Sequence, residues 1–477
     1  MTVAILLVLV WATFAFGAVY TWAYVPVLVA CTAIGIVGLA SRGDGTPRLT
    51  SSVPVWLAVA AAGVLVQLAP LPTSVLARIS PATDAFLRTY RFSYAAAAGS
   101  PSGPSLWHPL SLDPASTWLG LAFLVALGLF LAGVMRSLTV GQVRSIARSL
   151  IALGIVLAVI GIAQKALGDH EARLVKIYGF WKPQYFGNPF GPFVNRNHFA
   201  GWMLMVLPLA LGYFAGVLEH ALRDVGPGWR NRLLWLGSER AGQAITVGFS
   251  ILVMAVALVY SGSRSGLACA AFAVVLVGWM TVRGQASRSL RLLTGAVFVL
   301  FLAGAVMWAG SDLVWQRFTP VPSQVGERLG AWRDAARIIR DFPLFGTGLN
   351  TYATATLLYQ TVNSPWQYQQ AHNDYLQLAA EGGLLIGIPA LLAALALVRQ
   401  MRRRSRERLD DPMTRWLRAG ASVGVAAIAL QSLVEFSLQI PANAALFAVI
   451  AAIAVHVPAP APTGARAREI SSRHAVV

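Results

Sequence analysis

Apolar runs of about 17–25 residues recur from one end of this chain to the other, each long enough to cross the ~30 Å hydrocarbon core of a bilayer as a helix. That single feature removes most of fold space. In lipid every backbone polar group must be satisfied within the protein, so such runs are helices and their connections stay at the surfaces. About twelve spans are predicted, near 3–20, 24–40, 53–70, 117–135, 149–165, 199–218, 244–260, 266–282, 292–309, 376–398, 419–436 and 442–456. Composition agrees, with 57% hydrophobic and 12% charged residues and a mean hydropathy of +0.63. The first run lacks a basic leader and passes directly into the second, so it reads as a retained helix and not a cleaved signal. Cys31 and Cys269 both fall within apolar spans, which leaves neither a disulfide framework nor a cysteine zinc site.

The net charge of +18 would suit nucleic acid, but its distribution points to membrane topology instead. Roughly 23 of the 37 basic residues fall in one set of short connections and the tail, as the positive-inside rule requires of a cytoplasmic face. The densest cluster is the run of arginines from Arg399 to Arg418. Both termini are then cytoplasmic. The opposite face carries long connections near 71–116, rich in Pro, Ser and Ala without a clear pattern, and near 166–198, rich in aromatics. The longest runs over 310–375, and a connection of that length is commonly functional. The expected organisation is helices one to nine over 1–309, the large loop at 310–375, helices ten to twelve over 376–456, and a cytoplasmic tail at 457–477.

Ionisable groups kept at the outer boundary are few enough to weigh singly. Arg264 lies in Tyr260-Ser-Gly-Ser-Arg-Ser-Gly266, a minimal turn whose small residues allow close approach and free N–H groups. It reads either as an anion ligand or as an interfacial arginine that snorkels. Residues 326–342 project as an amphipathic helix with Leu329, Trp332, Ala336 and Ile339 on one face and Arg328 at its edge. Arg333, Arg337 and Arg340 fall on the other, solvated side. Of seven histidines only His198 and His372 abut a span on the outer face. Asp374, with Gln377 three residues on, matches a capping box that would fix His372 at a helix mouth. Glu435, near the last hairpin, reads as structural glue paired with Gln439, Asn443 or an arginine. No paired carboxylates or spaced histidines offer a metal site.

Arginines and an imidazole without a metal suit one chemistry. The planar guanidinium binds oxygen pairs of a pyrophosphate, and a histidine takes a proton from a hydroxyl. A hydroxyl can then attack a carbon that departs from a lipid-linked pyrophosphate, whose growing charge arginine stabilises.

At this point the sequence resembles the O-antigen ligase / Wzy-type polymerase family of bacterial polysaccharide enzymes. The resemblance rests on Asn195-Arg-Asn-His-Phe-Ala-Gly201, Ser261-Gly-Ser-Arg-Ser-Gly266, Arg328-Leu-Gly-Ala-Trp332, Phe342-Pro-Leu-Phe-Gly-Thr-Gly-Leu-Asn350, His372-Asn-Asp-Tyr-Leu-Gln-Leu378 and Ile440-Pro-Ala-Asn443, in that order. It implies an all-α polytopic enzyme of the bacterial inner membrane, GT-C-like, with its active site on the periplasmic side and a large periplasmic loop between helices nine and ten. Such an enzyme is an inverting glycosyltransferase that needs no metal or other cofactor. The partners implied are an undecaprenyl-pyrophosphate-linked glycan donor, a lipid A-core or another glycan as acceptor, and membrane lipid, with no nucleic acid. His372 would be catalytic and Arg264, Arg328 and Arg196 would bind pyrophosphate, supported by Asn373, Asp374, Asn195, Asn197, His198 and Trp332. The family often has His-Asn, nine residues, Gly, two residues, Gly; here Gly383 is followed by Gly387, which departs from that register.

The alternative within the family is a polysaccharide or exopolysaccharide polymerase, in which a second lipid-linked repeat is the acceptor. The rival from another class is a transporter or flippase for lipid-linked glycan. That class calls for ionisable residues deep in spans and for repeats between the halves, and the sequence displays neither pattern.

Overall fold

The computed structural model describes residues 1–41, 51–98, 107–167, 176–183, 188–223, 230, 235, 237–284, 322–361, 367–407, 409 and 411–457. The expected span at 292–309, the start of the 310–375 connection and nearly all of the expected tail lie outside these residues.

The described helices, in order, are α1 (Thr2–Phe14), α2 (Thr21–Ala40), α3 (Val53–Leu68), α4 (Thr73–Ile79), α5 (Pro81–Tyr90), α6 (Phe92–Ala98), α7 (Pro114–Ser137) and α8 (Val140–Leu167). Then follow α9 (Arg196–Arg223), α10 (Glu239–Ser261), α11 (Arg264–Gly284), α12 (Pro322–Asp341), α13 (Tyr352–Tyr359), α14 (Asp374–Ser405), α15 (Pro412–Gln431) and α16 (Pro441–Ala454). Six of them, α2, α7, α8, α9, α10 and α14, are long and apolar enough to cross a membrane. Shorter apolar helices are α1, α3, α16 and the first part of α11. The first predicted span, 3–20, stops at Phe14, because Phe16, Gly17 and Ala18 all adopt positive φ and turn the chain.

The centre of the bundle is α9, 89% of whose apolar window is buried within the protein, against 33% for α2. Its main partner is α15, and small residues let the two backbones meet. A Cβ on Gly424 would stand 2.8 Å from the Met205 carbonyl oxygen, closer than real side chains come. Apolar residues gain nothing by leaving lipid for one another, so this close backbone packing is what membrane helices use instead.

The described parts of the 71–116 and 310–375 connections form one layer. The 71–116 segment, patternless by sequence, folds as α4–α6 closed by a short antiparallel pair, Leu71 with His108 and Pro72 with Trp107. Phe86 and Leu112 share a core with Ala335, Ile338 and Phe342 around α12, and Leu110 and Leu87 pack beneath Phe345. Hydrogen bonds from Tyr90 to the Leu357 carbonyl (3.2 Å) and from Leu112 N to the Thr347 carbonyl (2.8 Å) join them.

The amphipathic helix exists, but its buried face is turned from the expected one. Leu329 is 44% exposed and Ala336 is also exposed, while Ala331, Asp334, Ala335 and Ile338 are buried. Two alanines permit close approach, and Asp334 is satisfied by the Thr361 backbone N–H (3.0 Å) and hydroxyl (2.7 Å). Arg328 precedes Ala331 by three residues and so lies over this buried stripe.

Candidate functional site

The glycine-rich stretch after α12 is held by a break in α14. Gly383 has φ +54 and ψ −156, which interrupts the helical ladder. The backbone groups this frees are taken up by the turn that follows α12: Leu384 N donates to the Pro343 carbonyl and Leu385 N to the Leu344 carbonyl, both at 2.9 Å. In return Thr347 N and Gly348 N donate to the Ala380 and Glu381 carbonyls at 3.0 Å. A side chain at Gly383 would put its Cβ 2.6 Å from the Gly346 nitrogen. The Glu381 carboxylate is buried and accepts from Asn350 N (2.7 Å), Tyr352 N (3.1 Å) and the Gln377 amide (3.0 Å). The first turns of α14 are therefore fixed to the loop layer by a polar seam.

That seam presents His372. The helix cap is Asn373 and not Asp374: the Asn373 side-chain oxygen accepts from Tyr375 N and Leu376 N at 3.0 Å. Gln377 reaches back to accept from Ala371 N at 3.0 Å, two residues before the cap whose N–H a capping box would meet. Asp374 is the first helical residue, and its carboxylate accepts from the Gln439 amide at 2.9 Å. His372 itself has φ +50, an uncommon conformation for a residue with a side chain. Asp374 N donates to the Ser432 carbonyl (2.9 Å), which pins His372 against the connection between α15 and α16.

Residues 432–440 form the hub, and Glu435 is its centre. The Glu435 side chain is 1% exposed, and Oε1 accepts from Arg328 Nη2 at 2.5 Å and from Asn197 Nδ2 at 2.7 Å. Its second oxygen, Oε2, lies 3.9 Å from His372 Nδ1. Burial pushes the Glu435 carboxyl up, but the adjoining His372 imidazole, the Arg328 charge and His198 outweigh it and hold it below its ordinary value. Asn197 extends the network, since its Oδ1 accepts from the Ser263 hydroxyl at 2.8 Å. Ser263 in turn accepts from Gly266 N (3.2 Å) at the start of α11. Phe436 separates the two imidazoles, with the His372 ring at 5.0 Å and the His198 ring at 4.9 Å, both edge-on.

Each residue singled out by sequence can now be placed. His372, Arg328, Asn197 and Glu435 are in one constellation. Arg264 directly follows Ser263, and Arg196 directly precedes Asn197, so both arginines start helices at this end of the bundle. Asn195 accepts from Asn197 N (2.9 Å) and shapes the turn into α9. His198 is 4% exposed behind Phe436, and its carbonyl accepts from the Asn443 amide at 3.0 Å, so it supports the hub from within. Trp332, half-buried one turn after Arg328, has a buried indole N–H without a hydrogen bond among the described residues. His108 sits apart in the loop layer, where burial lowers its proton affinity and its Nδ1 meets the Pro109 carbonyl at 2.7 Å; His170 lies outside the described residues.

Of the expected partners of Glu435 the arginine is the one the structure provides. Gln439 binds Asp374 and Gln377, and Asn443 binds His198, which leaves Arg328 and Asn197 for the carboxylate. Sequence reasoning passed over Glu381 altogether, although a carboxylate inside an apolar run is itself a signal. Among the described residues no group of three or more His, Cys, Asp or Glu side chains could hold a metal ion.

The arrangement gathers cationic character at one place. The N-termini of α9, α11, α14 and α16 all meet around the hub, and each adds partial positive charge to that of Arg328, Arg264 and Arg196. A half-exposed imidazole, backed by a buried carboxylate, stands beside them.

Residues 249–388 match the family model Wzy_C, described as O-antigen ligase, which supports the O-antigen ligase family. The matched segment contains Arg264, Arg328, His372 and the break at Gly383; the turn at 195–198 and the Glu435 hub lie beyond it. No curated protein matches the chain. Taken with the six apolar helices, the match supports a multi-pass membrane protein with a ligase- or polymerase-like function in polysaccharide biosynthesis.

Proposed function

We propose that this protein is a metal-independent, inverting glycosyltransferase that moves a glycan from undecaprenyl pyrophosphate to a sugar hydroxyl at the periplasmic face of the inner membrane. The observation that carries the reading is the contact of one buried carboxylate, Glu435, with both Arg328 and His372. With Nδ1 directed to Glu435, the His372 ring keeps Nε2 for the acceptor. The acceptor oxygen forms its bond to the anomeric carbon as the bond from that carbon to the pyrophosphate oxygen breaks. His372 Nε2 takes the hydroxyl proton, Glu435 stabilises the resulting imidazolium, and the electron pair leaves with the pyrophosphate. One displacement inverts the anomeric centre.

Arg328 has a second task beyond the pyrophosphate. One arm of its fork is committed to Glu435, while its side chain remains 37% exposed and keeps other donors for an anion. Arg264 and Arg196, together with the converging helix N-termini, supply the rest of the charge that a leaving pyrophosphate needs. The layer formed by the described parts of 71–116 and 310–375 borders this end of the bundle and would select the acceptor.

The test is transfer by purified protein in detergent from a defined undecaprenyl-pyrophosphate glycan. Lipid A-core, a second lipid-linked repeat and a free glycan are offered in parallel, which separates ligase from polymerase. Product is expected with chelator present; loss in chelator with recovery on Mg²⁺ or Mn²⁺ overturns metal independence. Absence of any product while vesicles move lipid-linked glycan across a bilayer favours a flippase instead.

A further inference from the structure

We propose that the far end of α14 is a binding site for a phosphate-bearing anion, of the kind displayed by an anionic phospholipid headgroup. A cavity of about 170 Å³ opens between the start of α3 and the last turns of α14, lined by Ser51, Ser52, Arg399, Gln400, Arg403 and Arg404. At about 1.5 Å per helical residue it stands roughly 40 Å from His372, at the other end of the apolar stretch, and so belongs to no part of the transfer site.

Three observations give the cavity its chemistry. Positive charge exceeds its local compensation: Glu407 is shared between Arg404 (2.5 Å) and Arg418 (3.1 Å), and among the described residues Arg399 and Arg403 meet no carboxylate. Two buried polar atoms on its walls, Arg404 Nε and Gln400 Oε1, also lack partners among the described residues, and buried polar atoms are rarely left so. At the rim Ser52 precedes α3 and makes no side-chain capping bond, which leaves its hydroxyl for an incoming anion.

A phosphodiester with a hydroxyl-bearing headgroup meets all of these. Its oxygens accept from the arginines and Ser52, and its hydroxyl donates to Gln400. At about 30 Å³ per water-sized unit, the cavity holds a phosphate with a glycerol. A diffuse topogenic charge would also place arginines here. It would not distinguish those that line the cavity from their neighbours Arg402 and Arg406, which do not line it.

That distinction is the experiment. The full-chain protein is released from micelles holding equal phosphatidylglycerol and phosphatidylcholine, and retained lipid is read by native mass spectrometry. Thermal unfolding with inorganic phosphate runs in parallel. Expected is preferential retention of phosphatidylglycerol, weakened about thirty-fold in R399A/R403A and less than about threefold in R402A/R406A. A phosphate-dependent thermal shift without lipid preference, lost in R399A/R403A only, identifies a soluble phosphate as the ligand of the same site. Equal loss in both double variants, or neither lipid preference nor phosphate shift in the wild type, overturns the proposal.

Discussion

Replacing Glu435 by Gln keeps the side chain's shape and removes its charge, and the geometry sets the size of the effect. Oε2 lies 3.9 Å from His372 Nδ1. Two unit charges at that distance interact by about 4 kcal/mol at an effective dielectric of about 20. The His372 side chain is 32% exposed, so water screens part of this and about 2 kcal/mol remains for the imidazolium formed during transfer. At about 1.4 kcal/mol per decade that is a rate loss of about thirtyfold, and loss of ring orientation adds to it. The expected E435Q enzyme therefore has a kcat lower by about thirty- to a thousandfold. Its KM for the lipid donor stays the same or falls, because Arg328, released from its counter-ion, holds pyrophosphate at least as well. Stability changes less. Arg328 is 37% exposed and can turn to water, so the cost is about 1–2 kcal/mol and not the 3–5 of a fully buried broken pair. Steady-state transfer in detergent gives kcat and KM, and thermal unfolding of the same samples reports the fold. E435D should recover part of kcat. A folded E435Q protein with wild-type kcat would refute the reasoning.

H372A should lose about a hundred- to ten-thousandfold in transfer rate while donor binding persists, measured by product formation and by retention of donor on the protein. G383A should destabilise by about 2 kcal/mol or more, since the residue sits at positive φ and its Cβ would stand 2.6 Å from the Gly346 nitrogen. G387A, with open space around it in the same helix, should be neutral or stabilising by up to about 1 kcal/mol, and equal melting shifts for the two would contradict the role given to the break. The Glu435 carboxyl is held below its ordinary value in the folded protein, so its stabilisation is fully present above the unfolded carboxyl range and is lost as pH falls through the lowered folded value. The melting-temperature difference between wild type and E435Q should thus shrink on acidification from pH 7 toward 3; a difference that grows in acid contradicts the assignment.

What could be read from the sequence was local. Apolar run length locates spans because burial in lipid is a property of consecutive residues, and Arg264 and His372 could be read as boundary residues because the serines and glycines beside the first and Asp374 beside the second announce helix starts. The constellation itself was out of reach. Asn197 lies 238 residues before Glu435, and Arg328 lies 107 before it. No short-range pattern encodes such pairings, so Glu435 looked like one more structural carboxylate. The face of α12 was misread for a different reason. Hydropathy assigns Leu329 to the inside, yet the face that packs carries Ala331, Ala335 and Ile338, and a buried Asp334 on it is made tolerable by Thr361. The altered glycine spacing after His372 was visible, and only the structure supplies its meaning: Gly383 opens the ladder to Pro343 and Leu344.

That opening also separates two angular phases. A continuous helix turns by about 100° with each residue, so an insertion anywhere along it swings everything beyond. Here the segment carrying His372 takes its orientation from the seam with 343–352, and the stretch after Gly383 takes its orientation from its neighbours in the bundle. The apolar part of α14 can therefore gain or lose residues to match a thicker or thinner bilayer, and the imidazole at its head keeps its aim.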